Sequence, residues 1–188
     1  MKKSYREALA DSPVIAAIKD DAGLDRCLAC ESHIVFILYG DICSIADIVD
    51  RIKKAGKLAV VHVDLISGLA SKEIAVDFIR RYTRADGVIS TRPTLIRRAR
   101  ELDMLAILRL FVIDSMAYEN LEKQVRAAKP DVIEILPALM PKVVSRICSI
   151  SQTPVIAGGL VSEKEDILTL LQAGAVSVST THKDLWFI

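Results

Sequence analysis

Residues 154–186 read PVIAGGLVSEKEDILTLLQAGAVSVSTTHKDLW, and two short apolar runs in this stretch bracket one amphipathic segment. The runs, Pro154–Ala157 and Val176–Ser179, are too short for helices and too continuously apolar for strands with one wet face. They read as strands buried on both faces, as parallel sheets require. Between them Ser162 and Glu165 stand at capping-box spacing and Gly174 follows the last apolar turn, which predicts a helix over Ser162–Ala173. The stretch is therefore a strand–helix–strand unit of the parallel kind.

Six further runs of the same type precede it: Val14–Ala17, Ile34–Leu38, Leu58–Val63, Gly87–Ser90, Leu105–Leu110 and Val132–Leu136. Successive runs start 18 to 29 residues apart, enough for one helix and two short loops. Helices are predicted over Asp41–Ala55, Ser71–Tyr82, Arg92–Leu102, Ser115–Lys129 and Pro141–Ile150. In the first, Ile42, Ile45, Ile48, Val49 and Ile52 share one face and Gly56 is the stop; in the second, Ser71 is the expected N-cap. Pro93 and Pro141 open their helices, and Pro130 ends the one before it.

Eight such units without a linker point to one α/β domain, a compact (β/α)8 TIM-type barrel over residues 1–188, with 1–12 an N-terminal extension or helix. The competing architecture is an open doubly wound sheet, which the count of eight disfavours. A barrel of 188 residues is short against the ~250 typical of the fold. Its loops must be minimal and its site must be built from strand ends.

Composition narrows the classes. With 52% hydrophobic residues and a mean hydropathy of +0.35, the chain cannot remain disordered. Charges interrupt every apolar run before the ~18 residues of a spanning helix, and no apolar segment follows Lys2 and Lys3, so a cytoplasmic protein with no membrane partner is expected. The four cysteines are too few for a disulfide framework. Cys27 and Cys30 form a lone C-x-x-C, read as buried thiols, and no metal is expected. Met104, Met116 and Met140 read as packing residues, and Trp186 as the residue that closes one end of the barrel.

In a barrel the site lies where the strands end. The residues there are Lys19, His62 and Asp64, Ser90, Arg109, Glu134, Gly158 and Gly159, and Ser179, Thr180 and Thr181. His62 and Asp64 share a face with Val60, Glu134 with Val132, and Arg109 with Ile107, because side chains repeat every two residues. Such charges either seal the barrel top as an internal network or meet a ligand. The Gly-Gly and Ser-Thr-Thr segments follow the seventh and eighth strands, where barrels bind phosphate, with His182–Phe187 as the short extra helix. Gly158 and Gly159 would let backbone amides approach an anion; the bland alternative is a pair of ordinary turns.

Charge is unevenly placed. Residues 80–101 carry Arg80, Arg81, Arg84, Arg92, Arg97, Arg98 and Arg100 against Asp86 and Glu101, a net +5 that leaves −4 for the rest. Arginine suits bidentate phosphate contacts, so this face is a nucleic-acid candidate, or else a solvated surface or a subunit interface. Only 5% of residues are aromatic, which argues against a base-stacking sheet.

The segments VHVDLISGL, DGVISTR, IEILPALMP, PVIAGGLVSEKED and AGAVSVSTTHKDLW, in this order and spacing, resemble the glycerol-uptake operon antiterminator family. The resemblance runs from PVIAAIKD at Pro13 to Trp186, with one departure at Ala138, where Gly is expected. It implies a regulator rather than an enzyme, with no cofactor. The effector would be glycerol 3-phosphate and the partner a leader mRNA whose premature termination is suppressed; a homo-oligomer is possible. It also makes the arginine-rich face the favoured RNA surface. Under this reading the amides of Gly158, Gly159, Thr180 and Thr181 hold the phosphate. Lys19, His62, Asp64, Ser90, Arg109, Glu134 and Ser179 bind the rest of the ligand. The runner-up is a small barrel enzyme acting on a triose or glycerol phosphate, with His62, Asp64 and Glu134 as acid/base groups.

Overall fold

A computed structural model describes residues 1–188. Eight parallel strands close on themselves in sequence order. They are β1 (Val14–Ile18), β2 (Ile34–Ile37), β3 (Leu58–His62), β4 (Gly87–Ser90), β5 (Leu105–Phe111), β6 (Val132–Leu136), β7 (Val155–Gly158) and β8 (Ser177–Thr180). A first helix, α1 (Lys3–Ala10), precedes the barrel. Seven more alternate with the strands: α2 (Asp21–Cys27), α3 (Ile45–Lys54), α4 (Ile74–Tyr82), α5 (Pro93–Glu101), α6 (Ser115–Ala128), α7 (Pro141–Ile150) and α8 (Lys164–Gln172). A 3-10 turn over Lys183–Phe187 stands in place of a helix after β8. The fold is thus the single (β/α)8 barrel that the eight runs predict. No helix is long and apolar enough to cross a membrane.

Strand alternation divides the core in two. Inward residues, among them Ile15, Ala17, Phe36, Val60, Ile89, Ile107, Val132 and Ile156, fill the barrel. Outward residues join the helices in a larger apolar shell. Two positions beyond Val60, Ile107, Val132 and Ile156 stand His62, Arg109, Glu134 and Gly158, so the polar layer is the top of the inward stack.

The lower end is closed by α1. Tyr5 and Leu9 join the inner cluster, the Tyr5 hydroxyl donates to the Asp86 carbonyl at 3.1 Å, and the Ser177 hydroxyl donates to the Leu9 carbonyl at 3.1 Å. This corrects the expectation for Trp186. Its ring lies in the outer shell and its Nε1 donates to the Thr180 carbonyl at 2.9 Å, so it ties the C-terminal turn to β8 instead of plugging the barrel.

Three helix starts also differ from expectation. α3 begins at Ile45 because the Asp41 carboxylate accepts from the N–H groups of Cys43 (2.8 Å) and Ser44 (2.9 Å), holding residues 41–44 in a turn. Ile42 is left 45% exposed, off the buried face. α4 begins three residues after Ser71, which caps nothing. At α8 the reciprocal contact comes from Asp166, not Glu165: its carboxylate accepts from the N–H groups of Ser162 (3.0 Å) and Glu163 (3.1 Å). Met116 is exposed on α6 instead of packing, while Met104 is buried.

Replacing Leu9 with Ala should open the floor of the barrel and cost about 2–5 kcal/mol in urea unfolding. Met116→Ala should change stability by less than about 0.5 kcal/mol. Equal effects would contradict the assignment of α1 as the stopper.

Candidate functional site

A cavity of about 430 Å³ opens at the C-terminal end of the barrel. Ala17, Leu38 and Leu136 give it apolar walls; Lys19, Arg109, Glu134, Gly159, Ser179, Thr180 and Thr181 are the sequence-predicted residues that converge on it. Its floor is a charged pair. Glu134 is wholly buried, its Oε2 accepts from Arg109 Nε at 2.7 Å, and its Oε1 accepts from the Ser179 hydroxyl at 2.6 Å. Gly158 does not line the cavity. A Cβ there would fall 2.3 Å from Ser179 Oγ and 2.9 Å from Glu134 Oε1, so this glycine makes room for the floor instead of offering an amide to an anion.

The rim is formed by the segments after β7 and β8. Gly159 (φ +82°) and Leu160 (φ +64°) both adopt left-handed backbone, which turns the chain sharply over the cavity. The N–H groups of Gly159, Leu160, Val161 and Thr181 donate to no acceptor within the chain. Thr180 works as a brace: its hydroxyl donates to the Val161 carbonyl (2.9 Å) and accepts from the His182 N–H (3.0 Å), joining the two rim segments. Leu160, Val161 and Ser162 also line the cavity, although sequence reading did not single them out. Their only cue is that they follow the glycine pair. Lys19 is exposed at the edge with no carboxylate partner.

Besides Gly158, three predicted ligand residues do not line the cavity. His62 is 3% exposed, and its Nδ1 is buried without a hydrogen-bond partner, 3.8 Å from Asp64 Oδ2. Burial, and secondly the charge of Arg109, push its pKa down to about 4, against the pull of Asp64, so the imidazole is neutral at pH 7. Asp64 accepts from the Ser90 hydroxyl (3.1 Å) and the Thr91 N–H (2.9 Å), and lies 3.4 Å from Arg92 Nε. Ser90 in turn accepts from the Arg92 N–H at 3.0 Å. Asp64 and Ser90 thus shape the turn into α5, outside the cavity.

The seven arginines spread along the α4–α5 flank, and five meet carboxylates. Arg98 bridges Asp77 (2.7 Å) and Glu101 (2.9 Å), and Arg100 meets the buried Asp131. Arg84 and Arg97 make looser, exposed pairs with Asp50 and Glu73, both at 3.7 Å, and Arg92 faces Asp64. Arg80 has no carboxylate partner, and Arg81 stacks 5.6 Å from the centre of the Tyr82 ring. The net +5 counted along residues 80–101 is therefore offset in space by acids from other segments.

Cys27 and Cys30 are buried free thiols whose Sγ atoms donate to the carbonyls of Leu24 (3.2 Å) and Cys27 (3.1 Å). Burial first, then the neighbouring Cys30, push the Cys27 thiol up to about 12, far from a reactive thiolate.

The chain is similar to several known proteins. A profile of the glycerol-3-phosphate responsive antiterminators matches residues 14–186. The uncharacterized protein YgcP of Escherichia coli K12 is 44% identical over 178 residues, covering 95% of this chain and 93% of its own. A glycerol uptake operon antiterminator regulatory protein from Listeria monocytogenes superposes with a TM-score of 0.89 at 34% identity, over 92% of this chain and 94% of its own. A glycerol uptake operon antiterminator-related protein from Thermotoga maritima gives a TM-score of 0.82 at 32% identity, over 93% and 98%.

The neutral His62 predicts a pH effect. Its folded pKa of about 4 lies below the unfolded value of 6.5, so its contribution is present above pH 6.5 and lost as pH falls toward 4. Wild-type protein should lose about 2 kcal/mol more than His62→Gln between pH 7 and pH 5 in urea unfolding. Parallel losses in the two proteins would contradict a buried neutral imidazole.

Proposed function

Because the chain belongs to the glycerol-3-phosphate responsive antiterminator family, we propose that it is a ligand-gated RNA-binding regulator. Its effector is glycerol 3-phosphate, and its RNA partner is the leader of a glycerol-uptake transcript. The observation that carries the reading is the polarity of the mouth cavity. The N–H groups of Gly159, Leu160, Val161 and Thr181, all residues that line the cavity, have no acceptor within the chain, and the Arg109–Glu134–Ser179 cluster forms the floor. The first set suits a phosphate, which binds well to converging backbone amides after β7 and β8. Lys19 adds a positive charge at the edge. The second set suits glycerol hydroxyls, which can donate to Glu134 and accept from Arg109.

RNA binding is assigned to the α4–α5 flank, with its weight on Arg80, Arg81, Arg84 and Arg97. These are exposed and either lack a carboxylate partner or hold one at 3.7 Å. Arg98 and Arg100 are engaged in tighter pairs, so their first contribution is to hold α5 against its neighbours. Arg92 is tied to Asp64 at the start of α5. Ligand and RNA sites are then separate, and coupling between them has a typical size of ~1–3 kcal/mol.

Titration with leader RNA in a gel shift, with and without glycerol 3-phosphate, tests the reading. The effector should tighten RNA binding by about 5- to 150-fold. Arg80→Ala with Arg81→Ala should weaken RNA binding and flatten its salt dependence, by about 0.7 in logarithmic slope per lost phosphate contact. The double variant should leave glycerol 3-phosphate binding unchanged in calorimetry. No RNA retained under either condition would overturn the regulator reading, and steady turnover of a triose phosphate would favour an enzyme.

A further inference from the structure

Glu134 is the only carboxylate lining the mouth cavity, and the fold goes to some length to keep it there. The side chain is fully buried at the top of a stack whose lower members are Val, Ile and Leu, where an apolar residue would avoid desolvating a charge. Arg109, Ser179 and the missing side chain of Gly158 all serve its position. Each Glu134 oxygen accepts one hydrogen bond from the protein, and a carboxylate oxygen has lone pairs for two. The remaining capacity faces the mouth cavity. Arg109 spends its Nε on Glu134, while its Nη atoms meet no protein acceptor.

The charges decide what can fill that space. Arg109 alone would attract an anion; paired with Glu134 it makes a floor of zero net charge whose carboxylate can only accept hydrogen bonds. A hydroxyl satisfies it. A second anionic group on the ligand would meet Glu134 in a buried setting, where like-charge contact is strongly unfavourable. We infer that Glu134 makes the mouth selective for phosphorylated polyols and excludes phosphorylated carboxylates of the same length. The inference rests on the phosphate-binding reading of the mouth given above. Glu134 is the specificity-determining residue, and Gly158 and Ser179 are the positioning residues that hold it.

The probes are glycerol 3-phosphate, 3-phosphoglycerate (the same carbon skeleton ending in a carboxylate) and inorganic phosphate, titrated calorimetrically into the full-length protein. Wild type should prefer the polyol ester over the carboxylate ester by about a hundredfold or more. Glu134→Gln keeps the shape but leaves Arg109 uncompensated. It should weaken glycerol 3-phosphate, strengthen 3-phosphoglycerate and cut the ratio of the two esters at least tenfold, and the uncompensated Arg109 should favour inorganic phosphate as well. Glu134→Asp keeps the charge and should keep the preference despite weaker binding, which also serves if the Gln variant folds poorly. Equal affinity of wild type for the two esters would overturn the inference. So would an unchanged ratio in Glu134→Gln, or a lost preference in Glu134→Asp. Wild type that binds inorganic phosphate but fails to discriminate would overturn only the role of Glu134. Wild type that binds none of the three would overturn the reading of the mouth as well.

Discussion

The register of the parallel sheet at its C-terminal end is the constraint on which the site depends. Arg109 on β5 stands directly beside Glu134 on β6, and Gly158 on β7 directly beside Ser179 on β8. These neighbours are fixed by ladders that continue round the barrel to the closing pair of β8 and β1, where Ile15 faces Ser179 and Ala16 faces Thr180. Slipping one strand by a residue would turn every inward side chain of that strand outward. The barrel therefore cannot rearrange its floor without losing its core. Short loops leave little else to build with, so strand ends and the first residues after them carry the chemistry.

The buried charges divide by purpose. A buried ion pair is weak evidence for stability, because desolvation offsets most of the attraction and an apolar replacement is often as good. That makes Arg109–Glu134 informative at the top of two strands whose inward positions below, Ile107 and Val132, are apolar. Asp131 is a contrasting case. It lies at the opposite end of the barrel, accepts from the Ala106 N–H at 3.1 Å and pairs with Arg100, and so fastens the end of α5 to the starts of β5 and β6. Arginines that read as one basic stretch along the chain thus act differently in space: some lock elements together, and some remain available on the α4–α5 flank.

Much of the fold was legible in the sequence because strands buried on both faces are continuous apolar runs, and the pattern recurs eight times. The prolines that open α5 and α7 and the glycines that follow α3 and α8 were equally plain. Helix starts were less so, since short polar side chains compete for backbone N–H groups: Asp41 delays α3, and Asp166 displaces Glu165 as the partner at α8. The site was half legible. Strand parity placed Arg109 and Glu134 on one face, and the sheet makes them neighbours. Parity could not show that the 3-10 turn at Val63–Leu65 carries Asp64 away to the start of α5. Nor could it show that Gly158 is small for the sake of Glu134, or that the free amides extend to Leu160 and Val161. Those facts depend on contacts between residues distant in sequence.

A crystal structure of the protein bound to glycerol 3-phosphate would locate both ends of the ligand in the mouth. The phosphate should lie against the N–H groups of Gly159, Leu160, Val161 and Thr181, with the glycerol hydroxyls directed at Glu134 and Arg109. A phosphate seated on the floor beside Arg109, or outside the mouth altogether, would contradict this placement.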